Sequence, residues 1–155
     1  MNEYVVVKWL HVLSSTVLFG TGLGSAFFMF VASRNRDPRV AHFVVRHAVI
    51  ADWLFTATAV IVQPVTGFYL VYLGGYAPTS RWILWSAILF LAAGACWLPV
   101  VWMQLRMRDM AKAAVEANAE LPERYWRFFR IWVVLGIPAF TALVIVFYLM
   151  IAKPV

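Results

Sequence analysis

Lys8-Trp9-Leu10-His11 places an ammonium and an imidazole one helical turn apart at the start of a long apolar run. An ionisable side chain inside hydrocarbon is costly and has a partner or a task. A neutral imidazole can hydrogen-bond, shuttle protons or ligate a metal. His11 is therefore read in two ways, as an axial ligand to haem iron or as a hydrogen-bonded structural histidine. On a helix its face continues through Ser14, Ser15, Leu18, Gly22 and Ser25. That stripe is small and polar and suits the interior of a bundle, so Ser15 and Gly22 are candidate cofactor contacts. At the same depth the other apolar runs offer Gln63–Gly67, Ser86–Leu89 and Ile145–Tyr148, without His, Cys or Met. A haem on His11 is thus expected to be five-coordinate or to have an unusual sixth ligand.

The remaining chemistry is sparse. His47, beside Arg46, is a second candidate metal ligand or an interfacial residue. It lies roughly 30 Å from His11 along the helices, too far to share one haem. Asp52 is the one acid within an apolar run. An unpaired carboxylate there is costly, and Arg127 and Arg130 are the expected ion-pair partners, with a proton relay as the alternative role. Met103, Met107 and Met110 share one helical face, read as adaptable packing. The single Cys96 leaves no internal disulfide and no cysteine-based metal site.

These residues need spans to hold them. The 155-residue chain is 64% hydrophobic and only 13% charged, more apolar than a soluble domain of this size can bury. Four runs, Val5–Val31, Ala48–Leu73, Trp82–Met103 and Ile131–Ala152, are long enough to cross about 30 Å of hydrocarbon. The first is read as a span, since it lacks a basic n-region and is too long for a cleavable leader. Residues 32–47 are read as a short loop turning at Asp37-Pro38, and the third helix as continuing to about Ala117. Trp9, Trp82, Trp85, Tyr69 and Tyr72 form one expected aromatic belt. Trp53, Trp102, Tyr125, Trp126 and Trp132 form the other. The expected fold is a single all-α domain, a four-helix antiparallel transmembrane bundle. Thr16, Gly20 and Gly24 recur every four residues, a candidate packing face for a neighbouring helix, a flat cofactor or a second protomer.

Ten of the thirteen basic residues fall in two connections: Arg34, Arg36, Arg39 and Arg46, then Arg106, Arg108, Lys112, Arg124, Arg127 and Arg130. Only Lys8, Arg81 and Lys153 belong to the other side. The positive-inside rule then puts both termini on the outer, periplasmic side of a bacterial inner membrane. Charge placed this way orients the chain in lipid and does not indicate nucleic-acid binding.

Lys8-x-x-His11 followed by Leu18-Phe19-Gly20-Thr21-Gly22, with Asp52-Trp53-Leu54-Phe55-Thr56 and Gln63-Pro64-x-Thr66-Gly67, resembles a bacterial four-helix integral-membrane family of unknown function, DUF2269-like. More loosely, the lysine–histidine start, Arg124-Tyr-Trp-Arg127-Phe-Phe-Arg130, Pro138 and the closing Lys153-Pro154 resemble HemJ-type protoporphyrinogen IX oxidases. That resemblance implies a haem-b protein with His11 as axial ligand. Lys8, one turn away, is read as a propionate partner or a positioning charge. It places Ser86 where the HemJ pattern has a lysine, and the nearby histidine of that pattern is missing too. The expected functions are a haem-b redox protein working with a quinone or membrane partner, a HemJ-like oxidoreductase acting on a porphyrin, or a haem-free accessory subunit.

Overall fold

The computed structural model describes residues 2–154. Among them the chain is helix and turn throughout: α1 (Glu3–Arg34), α2 (Pro38–Leu73), α3 (Arg81–Glu116) and α4 (Glu123–Ala152), each long and apolar enough to cross a membrane. At 1.5 Å per residue they measure about 45 to 54 Å, so each outreaches the hydrocarbon layer.

Local signals start the helices. The Asn2 side chain accepts from the Tyr4 N–H at 3.1 Å, with Glu3 in the first turn of α1 where a negative charge suits the helix dipole. The Asp37 side chain accepts from the Arg39 N–H at 2.8 Å and Pro38 takes the first position of α2. Pro122 and Glu123 open α4 as the sequence suggests.

The Asp37 cap corrects one expectation. Residues 38–47, read as loop, are helical, and only 35–37 separate α1 from α2. The reason is amphipathicity. Ala41, Val45 and Ala48 are buried on one face while Arg39, Phe43, Arg46 and His47 are exposed on the other. A hydropathy average over that stretch hides the period.

The helices form two hairpins, α1 with α2 and α3 with α4. The hairpins meet closely at the end holding the 35–37 and 117–122 connections, where the first half of α2 lies against α3. The main core sits there, built on Met29, Ala41, Val45, Met103, Met107 and Tyr125. Tyr125 is fully enclosed and its hydroxyl pairs with Ser33 Oγ at 2.9 Å. Tyr125 and Trp132, expected in an aromatic belt, belong to this core instead. At the opposite end, which carries residues 2 and 154, the hairpins stand apart. The second half of α2 scarcely approaches α3, and α1 reaches α4 at few points. One is Phe19, edge-on to Phe140 and Phe147 with ring centroids 5.5 Å apart in both pairs.

Midway along α2, Asp52–Thr56 winds as a π-helix. Such a turn carries an extra residue and re-aims the side chains beyond it. Asp52 and Thr56 both end up buried.

Candidate functional site: a pinned histidine within the first hairpin

His11 faces α2. Its Nδ1 lies 2.8 Å from Thr66 Oγ1, and its backbone carbonyl accepts from Gln63 Nε2 at 2.7 Å. The second Gln63 N–H reaches Ser14 Oγ at 2.9 Å. Gly67 lets the ring lie flat on the helix, since a Cβ there would stand 3.2 Å from His11 Cε1. Gln63, Thr66 and Gly67 recur at i, i+3 and i+4 and so share one face of α2.

The hydrogen-bond inventory fixes the imidazole tautomer. Thr66 Oγ1 also lies 2.7 Å from the Val62 carbonyl. A carbonyl only accepts, so the single hydroxyl proton goes there, and the remaining lone pairs of Thr66 accept from His11 Nδ1–H. Nε2 is then the unprotonated nitrogen. Among the described residues it has no hydrogen-bond partner. An imidazole held by its Nδ1–H with a free Nε2 lone pair is the arrangement metal-binding histidines use.

The donor chemistry at His11 therefore fits one axial ligand to haem iron. No group of three or more His, Cys, Asp or Glu side chains suited to a metal ion occurs among the described residues. One turn deeper, a small cavity of about 30 Å³, about the volume of one water molecule, lies between the hairpins. Ser15 and Gln63 line it beside Phe19, Phe90 and Phe147.

The other candidate residues scatter. Ser15 Oγ donates to its own helix at the Val12 carbonyl, 2.7 Å away. Gly22 makes room for α4 rather than a cofactor: a Cβ there would stand 3.2 Å from the Phe140 ring. Ser86 is buried in α3 with no partner for its hydroxyl among the described residues. His47 lies exposed on α2, its Nδ1 on the Phe43 carbonyl at 2.7 Å and its ring against Phe43, away from His11. Lys8 is exposed one turn from His11, with its ammonium 5.9 Å from the centre of the Tyr4 ring.

Asp52 contradicts the expected ion pair with Arg127 or Arg130. Its Oδ1 accepts from Thr56 Oγ1 at 2.9 Å, and the Gln104 amide approaches it from α3. Both arginines are exposed, and Arg130 Nε turns to the Trp126 carbonyl at 3.4 Å. The cause is the early start of α4: guanidinium groups on its first turns reach water at less cost than they reach a buried carboxylate. The π turn meanwhile sets Asp52 inward toward neutral donors.

Sequence reasoning missed the roles of Thr66 and Gln63, although their i, i+3 spacing in an apolar run was a usable signal. It also missed Tyr76 and Trp82, which meet Lys153 at the terminal end: the Lys153 ammonium lies 4.6 and 5.6 Å from their ring centres. No local pattern joins residues so far apart.

Among known proteins, the family model described as a predicted integral membrane protein (DUF2269) matches residues 5–154. No curated protein and no solved structure matches the chain.

Proposed function

The chain belongs to that family of integral membrane proteins, and from this premise we propose that it is a haem-b-binding redox protein of the bacterial inner membrane with His11 as axial ligand. The observation that carries the reading is the pinned imidazole. Thr66 holds Nδ1–H, so Nε2 offers its lone pair without having to lose a proton first. Gln63 ties the His11 backbone to α2 and keeps the ligand at fixed depth.

Haem b bound there supplies one-electron exchange at its iron. The chain's own residues supply orientation and a low-dielectric surround of Phe and Leu. His11 is the side chain that would hold such a group, with Thr66 and Gln63 fixing its ring and backbone. The electron partner is assigned to the membrane phase, as a quinone or a partner subunit, since the connection on the His11 side, between α2 and α3, is short. Asp52, with only neutral donors beside it, is the candidate proton carrier on the way to the opposite face.

The test is an absorbance spectrum of detergent-purified protein, oxidised and dithionite-reduced, with a pyridine haemochrome assay. The expected result is a Soret band with b-type reduced bands, lost in His11→Ala. Protein that stays colourless after growth with added haem precursor overturns the reading. His11 would then be helix–helix glue in an accessory subunit, for which the Thr66 and Gln63 bonds suffice.

A further inference from the structure

Where α3 and α4 leave their apolar runs, four side chains of the two helices meet. The Trp102 and Phe128 rings pack across the helices with centroids 5.4 Å apart. The Arg106 guanidinium lies 5.7 Å from the centre of the Trp102 ring, and that of Arg124 lies 5.4 Å from the centre of the Phe128 ring. Each arginine is one turn from the ring it covers, Arg106 after Trp102 on α3 and Arg124 before Phe128 on α4. Both therefore sit on the water side of the ring pair. Arg124, Arg127 and Phe128 also line an open cleft with Glu123, at the start of α4.

A guanidinium laid on a ring keeps the N–H groups of its edge free, and their fork matches the oxygens of a phosphate. Among the described residues the ion pairs are Arg108–Asp109 and Lys112–Glu116, so no carboxylate takes Arg106, Arg124 or Arg127. Asp109, three residues after Arg106, is held by two N–H groups of Arg108. Glu123 shares the cleft but pairs with neither arginine beside it, which leaves three guanidinium groups against one carboxylate. The start of α4 has no side-chain cap, so its first-turn N–H groups stay open to an anion as well. Toward the membrane interior Trp102 is half exposed, and Leu98, one turn deeper on α3, is exposed too. A ligand matched to this place has an anionic head at the arginines and an apolar chain along α3.

We propose that Arg106, Arg124 and Arg127, set on the Trp102–Phe128 ring pair, bind the phosphate of an anionic phospholipid whose acyl chains run along Leu98. A zwitterionic lipid has the same phosphate, but its choline carries a cation that the arginines repel. The site differs from the general excess of positive charge at this end. Arg39 and Arg46, on the exposed face of α2, stand over no aromatic ring among the described residues. Haem plays no part in it.

The experiment places the full chain in nanodiscs of phosphatidylglycerol and phosphatidylcholine in equal amounts, and native mass spectrometry reads the lipid retained. Two double variants remove the same charge from the same end, Arg106→Gln/Arg124→Gln from the ring pair and Arg39→Gln/Arg46→Gln from α2. All four positions are exposed, so neither variant puts folding at risk. The expected wild-type preference for phosphatidylglycerol is roughly tenfold. It should fall to about parity in the first variant and stay near the wild-type value in the second. An equal loss in both variants would mean diffuse charge at this end and overturns the site. So does a wild type without preference, or an Arg106→Gln/Arg124→Gln protein that keeps it.

Discussion

The imidazole of His11 shows how one hydroxyl decides what a ring can do. Because Thr66 has one proton and spends it on the Val62 carbonyl, it can only accept from His11. Thr66→Val keeps the shape and removes that acceptor. The expected outcome is a loss of about 1 kcal/mol in stability, seen in a detergent thermal melt, and, on the proposed function, a haem that would still bind but with a shifted reduction potential. An unchanged potential would mean that the tautomer is set elsewhere. At the terminal end, the Lys153 ammonium beside Tyr76 favours the phenolate and holds that hydroxyl below the usual tyrosine range. As pH rises, Tyr76 is expected to ionise before an ordinary tyrosine, and Lys153→Gln should move it back up. Absorbance-detected pH titration of wild type, Lys153→Gln and Tyr76→Phe reads this directly, the last variant removing the early component.

At the scale of elements, the apolar runs make the four spans legible, and the caps at Asn2 and Asp37 and the Pro122-Glu123 start are local enough to read. What hydropathy could not reveal is where α2 begins, because residues 38–47 alternate buried alanine and valine with arginine. Nor could it reveal the π turn at Asp52–Thr56, which depends on how α2 packs against two neighbours. That turn changes the expectation for Asp52. With Thr56 and Gln104 as its partners, Asp52→Asn keeps an oxygen for Thr56, and the Gln104 amide, whose Oε1 has no partner among the described residues, can rotate to meet the new N–H₂. Asp52→Asn should therefore unfold within about 1 kcal/mol of wild type, and Arg130→Ala within about 0.5 kcal/mol. Met107→Ala, which empties a fully enclosed site between α2 and α3, should cost about 2–5 kcal/mol. If Asp52→Asn keeps its stability yet loses turnover, the residue carries protons and does not brace the fold. A large loss for Arg130→Ala would restore the ion pair that the geometry denies.

For the whole molecule, packing and charge are polarised along the same axis. The end holding the 35–37 and 117–122 connections has the dense core and ten of the thirteen basic residues, while the end with residues 2 and 154 has the parted hairpins and His11. Basic side chains resist crossing the bilayer during insertion, so the ten-residue cluster is expected in the cytoplasm and His11 near the outer face. Orientation in turn decides what the site can meet: on the proposed function, a site near the outer face would exchange electrons with outer-leaflet quinone or a periplasmic partner, and the reverse orientation would expose it to cytoplasmic donors. Cys96 is the chain's one cysteine and lies within α3, so Cys96→Ser gives a background for single reporters. Cysteines placed at Ala77, in the α2–α3 turn, and at Asn118, beyond α3, report on opposite ends. In intact cells a membrane-impermeant maleimide should label the Ala77 reporter and spare the Asn118 reporter until the membrane is opened. The reverse pattern would put His11 and the Lys153–Tyr76 pair on the cytoplasmic side.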